Sequence, residues 1–199
     1  MYCKMINANT ILRCLMTLGL VRGRPVTTSS PCICTTVPCP VQGNNILTEG
    51  GGGYGSYYYA THNTLPVVMS ASATITRKDL DHGTATTSCT QKYARMLDDE
   101  DLSCDAGHIL AHRLGGPGNQ PINIFPQKPS VNRGTYESME NTIYQCIQTA
   151  SETTVVANLS WQFYYKNESA TRPLTVVYSA SFSGGTCGDI INVFDNEGV

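Results

Sequence analysis

Hydrophobic and polar positions alternate with a period of two in three stretches of the chain. Val67, Met69, Ala71, Ala73 and Ile75 are interleaved with Val68, Ser70, Ser72, Thr74 and Thr76. Val155, Ala157, Leu159, Trp161, Phe163 and Tyr165 form a second such series, and Leu174, Val176, Tyr178, Ala180 and Phe182 a third. Successive strand side chains point to opposite faces, so each series predicts a strand with one more apolar face. The second and third are separated by the polar residues 166–172 and predict a hairpin. After Pro129 the spacing changes: Met139, Ile143, Cys146 and Ile147 recur at helical intervals, and Ser130 is the expected N-cap. Residues 107–111 predict a short strand and the glycines of 115–118 a turn. The elements together predict an α+β fold with an antiparallel sheet.

Composition bounds this picture. The chain has 199 residues, 41% hydrophobic and 14% charged, enough for one substantial core and one catalytic domain. The formal net charge of −2 provides no global attraction to nucleic acid, so steering has to come from local Arg and Lys. The glycine-rich residues 49–55 are not followed by the Lys-Ser/Thr ending and helix that a phosphate-cradling loop needs, and read as a loop. Tyr57, Tyr58 and Tyr59 read as sheet residues packing on a core rather than as base-stacking platforms. Nine cysteines suit disulfides in an oxidising compartment better than a zinc cluster. Lys4 and Arg13 precede a short apolar run, 14–21, in the manner of an export signal. Residues 1–23 are therefore expected to be an export segment, 24–45 a Thr/Pro/Cys-rich arm, and 46–199 the catalytic domain. No run is long enough for stable membrane insertion. Asn158 and Asn167 begin sequons that permit glycosylation in a eukaryotic source.

The chemistry concentrates between Asp105 and Glu140. Asp105-Ala106-Gly107-His108 is followed by Asn123, by Pro126-Gln127-Lys128, by Asn132-Arg133-Gly134, and then by Tyr136, Met139 and Glu140. Cutting a phosphodiester takes a base to activate water, a cation to hold phosphate oxygens, and positive groups for the developing charge. A neutral imidazole at His108 meets the first need near neutral pH. An amide oxygen at Asn132 suits magnesium, which keeps several of its waters. Asn132, Tyr136 and Glu140, spaced by four, are expected along one side of the helix, with Glu140 reaching the metal's water shell.

The order and spacing of these residues resemble the DNA/RNA non-specific endonucleases, a branch of the ββα-metal (His-Me finger) nucleases. The resemblance is close over those thirty-six residues, looser over the carboxy-terminal remainder and absent from the amino-terminal third. It implies His108 as general base, Asn132 as ligand of Mg2+ or Mn2+, and DNA and RNA as substrates. Where well-known relatives carry a charge-stabilising arginine, this chain has Ala106. Arg133, next to the metal ligand, is the expected substitute. Arg113 and Lys128 are further cations expected to bind substrate, Arg95 is an upstream candidate, and Asp105 is expected to support the metal ligand from behind. Asn123 is expected near the substrate, as a residue that fixes the loop.

Two other readings of the same residues are weaker. His108 and His112 have the spacing of zinc ligands on a helix, but no Glu follows His108 and Gly115 and Gly116 would end such a helix at once. The acidic run 98–101 reads as a solvated loop. The expected activity is secreted, metal-dependent endonucleolysis with little sequence preference, leaving 5′ phosphates. The competing classes are an inactive nucleic-acid-binding module of the same fold and a disulfide-rich structural or adhesion protein.

Overall fold

A computed structural model describes residues 46–48, 54–98, 103–150 and 155–197. All of them fall in one compact unit, Ile33–Val199. The expected export segment and arm, and most of the glycine-rich loop, lie outside the described residues.

Six antiparallel strands form the main sheet: β1 (Ile46–Thr48), β2 (Tyr54–His62), β3 (Leu65–Thr76), β6 (Val156–Tyr164), β7 (Thr175–Ser183) and β8 (Ile190–Asp195), in that spatial order. The three alternating stretches of the sequence are β3, β6 and β7, and β6 with β7 is the expected hairpin. Along β6, Ala157, Leu159, Trp161 and Phe163 are buried while Asn158 and Gln162 are exposed. Between β2 and β3 the chain turns on Asn63 and Thr64, both at positive φ (43° and 68°). These are the angles that let a two-residue turn match the right-handed strand twist.

The single-face reading of β3 holds only for its second half. Tyr58 pairs with Ser70 and Tyr59 with Val68, so Met69 is an extra residue and the register shifts there. Because side chains alternate, one inserted residue exchanges the two faces. Ala71, Ala73 and Ile75 join Val68 in the main core, whereas Val67 and Met69 turn to the other side, where Val67 packs with Tyr93 and Leu97. Tyr57 and Tyr59 are buried and Tyr58 is exposed, as sheet residues should be.

A smaller hairpin, β4 (Asp105–His108) with β5 (Ile124–Gln127), lies apart from the main sheet and is followed by helix α2 (Glu137–Thr149). This is the ββα unit. Its core side is filled by Ile109, Leu110, Leu114, Phe125, Ile143 and Ile147, packed against Ile75, Leu159, Trp161 and Tyr178 of the sheet. Trp161 stacks on Tyr178 with ring centroids 4.6 Å apart, and its indole N–H donates to the Tyr136 hydroxyl at 3.0 Å. Helix α1 (Ser88–Met96) covers the hairpin from the other side, through Ala94 against Ile124 and Cys104. It starts at Thr87, whose hydroxyl accepts from the Thr90 amide.

Three local expectations need correction. Ser130 is not a side-chain N-cap; its backbone is already helical, and residues Val131–Tyr136 make a wide π-type turn that breaks at Gly134 before α2 begins. That turn rotates Tyr136 into the core, away from the side it was expected to share with Asn132 and Glu140. Asp98 is not solvated: it is buried and paired at 2.9 Å with the buried Arg172, since a charge inside the fold requires a partner. Residues 99–101 of that run lie outside the described residues.

Cys146 of α2 is joined to Cys187, which precedes β8, closing a 41-residue separation. Cys104 is a buried thiol that burial pushes up to about 12, so it is inert. Loop-closure entropy for a separation of this size is worth about 4 kcal/mol at most, and measured losses run about 2–4 kcal/mol. Replacing both cysteines by serine is expected to lower stability by that amount, read as a shift in urea midpoint at constant slope. No change in midpoint would mean that the bond is ornamental.

Candidate active site

His108 is the last residue of β4, and the chain bends away into the core immediately after it. Ile109 and Leu110 are fully buried, which anchors the end of the strand and holds the imidazole at its rim. The ring Nε2 lies 3.2 Å from the carbonyl oxygen of Thr84. A carbonyl only accepts, so Nε2 carries the proton and Nδ1 keeps its lone pair. Thr84 is itself held by the glycine-rich turn, its N–H donating to Gly116 O and its carbonyl accepting from the Gly118 N–H at 2.9 Å. Gly118 has to be glycine: a Cβ there would sit 2.4 Å from the His108 ring. Burial, with His112 adding repulsion, lowers the His108 pKa below its ordinary value, so the imidazole is neutral at pH 7. Nothing in the sequence marked Thr84 as the partner of this histidine.

Asn132 faces His108 from the π-type turn. Its Nδ2 donates to Asp105 Oδ2 at 2.9 Å. A carboxylate accepts only, which fixes the amide so that Oδ1 is turned away from Asp105 and takes no hydrogen bond from the described residues. Asp105 in turn receives two bonds from Arg133, at 2.8 and 2.5 Å. Asp105, expected from the sequence to stand behind Asn132, is thus in direct hydrogen-bond contact with it.

His108, Asn132, Glu140, Arg113 and Asn141 line one cleft of about 320 Å3. Glu140 is half-buried there, and burial with the nearby Glu137 pushes its carboxyl up to about 8, against a smaller opposing pull from Arg113. Arg113 lies over the Tyr144 ring, 4.5 Å from its centroid, and donates to Asn141 Oδ1. The Tyr144 hydroxyl donates to Asp81 at 2.6 Å, so the aromatic platform is itself fixed. The cleft therefore holds a cation braced by a ring and by an amide.

Glu140 makes a stability prediction whose sign is fixed by its raised pKa. Between its ordinary value of 4.5 and about 8 the native carboxyl holds more proton than the unfolded one. Stability of the metal-free protein then falls as pH rises through that window. Glu140→Gln is expected to raise Tm at pH 8–9 in EDTA and to leave it unchanged near pH 4, while lowering activity. A Tm difference that is the same at both pH values would contradict the buried-charge account.

Other expected site residues lie elsewhere. Asn123 is fully buried, not at the substrate: its Oδ1 accepts from Leu110 N and the Tyr57 hydroxyl, its Nδ2 donates to Leu110 O, and it fixes the bend after His108. Full burial, with both the oxygen and the nitrogen of its amide bonded inside the fold, keeps it from the surface of the cleft. Lys128 lines a different groove, between α2 and β8, with Asn192 and Asp195, and so does not reach the His108 cleft. Arg133 is exposed and paired with Asp105, and lines the groove on the far side of Asn132. Among the described residues no group of three or more His, Cys, Asp or Glu is arranged so that it could hold a metal ion through those side chains alone.

A family model described as DNA/RNA non-specific endonuclease matches residues 49–181. The probable deoxyribonuclease RhsA of Dickeya dadantii (strain 3937) is 34% identical over 123 residues, which are 62% of this chain and 8% of that protein. The chain thus spans less than a tenth of that relative. Among solved structures, the fold is similar to NucA from Streptococcus agalactiae with no metal bound, at TM-score 0.50 and 14% identity over 78% of this chain and 84% of that one. An extracellular endonuclease matches at TM-score 0.50 and 12% identity, over 89% and 93% of the two chains.

Proposed function

Since the chain belongs to the DNA/RNA non-specific endonuclease family, we propose that it hydrolyses phosphodiester bonds of DNA and RNA at the His108 cleft, with a divalent cation and little sequence preference. The observation that carries this reading is the convergence of a carbonyl-tethered His108, an amide oxygen of Asn132 turned free by Asp105, and the braced Arg113 on one cleft.

The residues present fit a hard cation. Asn132 Oδ1 and the Glu140 carboxylate are oxygen donors, and so few protein ligands suit an ion that retains its waters, which favours Mg2+ or Mn2+ over zinc. Such an ion supplies Lewis-acid neutralisation of charge on the phosphate and on the departing oxygen.

The protein's own steps follow from the geometry. His108 Nδ1 accepts a proton from water as the water oxygen bonds to phosphorus, while the Thr84 carbonyl steadies the imidazolium through Nε2. The P–O3′ bond breaks, the departing O3′ takes a proton from solvent while His108 returns its own to solvent, and a 5′ phosphate and a 3′ hydroxyl result. Arg113, expected from the sequence to bind substrate, takes the charge-stabilising part that had been expected of Arg133. It is the cation that shares the cleft with His108, whereas Arg133 is committed to holding Asp105. The groups in the cleft address phosphate and water rather than base edges, which accounts for weak sequence preference.

We assign residues 46–199 to the nuclease domain, with an export segment and arm before it, and an oxidising, extracellular setting for the mature protein. The Cys146–Cys187 bond supports the setting, and among the described residues no helix is long and apolar enough to cross a membrane.

Incubation of supercoiled plasmid with the protein, with and without EDTA, tests the reading. Nicked and then linear DNA in Mg2+ or Mn2+ only, and 5′-phosphate ends open to direct ligation, are the expected results. Retardation of the plasmid without cutting in any divalent metal would replace the enzyme by a binding module, and neither cutting nor retardation would leave the structural class.

A further inference from the structure

Beside the His108 cleft is a second groove, of about 400 Å3, whose lining includes Gln91, Arg95, Ala106, Asn132 and Arg133. We propose that it binds the phosphate next to the scissile one on the same nucleic acid strand, with Arg95 as the anchor. The inference rests on the nuclease reading and adds a substrate subsite to it.

Four observations point to an anion in this groove. The Arg95 side chain lies on the exposed side of α1, lines this groove and makes no ion pair or side-chain hydrogen bond with the described residues. Arg133, at the opposite side, spends Nε and one terminal nitrogen on Asp105, which neutralises that carboxylate and leaves its other terminal nitrogen to face outward. Arg95 and Arg133 against Asp105 leave the groove net positive in a chain whose formal charge is −2. Strand β4 sets the spacing: Ala106 and His108 are two residues apart on it, about 7 Å, roughly one nucleotide step along a strand. The small Ala106 side chain leaves the groove open where a longer one would fill it.

Asn132 lines both spaces, so the two grooves adjoin at the reacting centre. A strand whose scissile phosphate lies against His108 and Asn132 therefore runs its next phosphate over Ala106 toward Arg95. The arrangement compensates locally for the lack of a positive global field, and it implies that substrates with a single phosphodiester bind weakly.

The test couples Arg95 to one phosphate. Single-stranded oligonucleotides with one preferred cleavage position carry a neutral methylphosphonate at each linkage flanking that position in turn. Wild-type protein is expected to show KM raised about tenfold at one flanking position. Arg95→Ala is expected to raise KM on the unmodified oligonucleotide by a similar factor, to reduce the salt slope by about one, and to lose no further affinity when that same linkage is neutral. Additive effects of mutation and methylphosphonate at every position would overturn the subsite. So would a fall in kcat at unchanged KM, which would place Arg95 on the scissile group instead. Wild-type protein that cuts nothing fails the nuclease reading itself, a result separate from either of these.

Discussion

His108→Ala is expected to lower kcat on DNA by about 10²- to 10⁴-fold, the usual contribution of a positioned base, with the fold and DNA retention intact. The side chain is half-buried against Thr84 and Gly118 rather than in the main core, so its loss should shift Tm little. His108→Gly with added imidazole is expected to recover part of the lost turnover, because the Thr84 carbonyl remains to orient the added ring. The pH profile has a definite sign. Burial and His112 lower the pKa of His108, the base must be neutral to accept a proton, and the acid limb of kcat/KM therefore lies below pH 6.5. Turnover at the wild-type rate in His108→Ala, or an acid limb above pH 7 in the wild type, would sink the assignment.

Asn132→Ala is expected to lower activity by more than the ~10- to 100-fold that loss of an outer partner of a metal ligand costs. Excess Mg2+ should return part of it, since an ion site is weakened while the base is kept. His108→Ala should show no such return; recovery there by magnesium would mean that the two roles are reversed. The Asp105 contact gives a sharper form of the prediction. Asn132→Asp adds a better oxygen ligand but places a carboxylate where Nδ2 now lies 2.9 Å from Asp105 Oδ2. Like charges at that distance repel, so the aspartate variant is expected to need more metal than wild type, not less. Asp105→Asn, able to donate to the new carboxylate, should restore part of the activity in the double variant. Independent, additive losses in the two single variants would show that Asp105 does not orient residue 132.

The strands whose alternation is strong are legible in residue order alone, because burial on one face dictates an apolar side chain at every second position. β3, β6 and β7 carry that pattern. Helix α1 and strand β8 lack it. α1 turns only two apolar residues, Tyr93 and Ala94, to the interior beside the polar Thr90 and the adjoining Leu97, and β8 is an edge strand with Ile191 and Val193 exposed. Where an element buries little, its pattern says little. The shift at Met69 is also invisible in the sequence, since a bulge depends on how β2 and β3 pair and not on either strand alone.

For the site, the sequence by itself determined which chemistry was present: one histidine ending a strand, one asparagine and one glutamate around a helix start, and arginines nearby. Such groups act through their own functional atoms, and spacing in a short segment limits which can meet. The tertiary structure alone decided how they are arranged and which of them share a cleft. Thr84, 24 residues before His108, sets the tautomer of its imidazole. The turn at Val131–Tyr136 sends Tyr136 inward while Asn132 and Glu140 meet at the cleft. Tyr144 and Asn141 bring Arg113 to His108, and Asp105 draws Arg133 away from it. Charge is a property of a residue, but the direction in which a flexible guanidinium presents it is set by its bonded partners, which come here from distant parts of the chain.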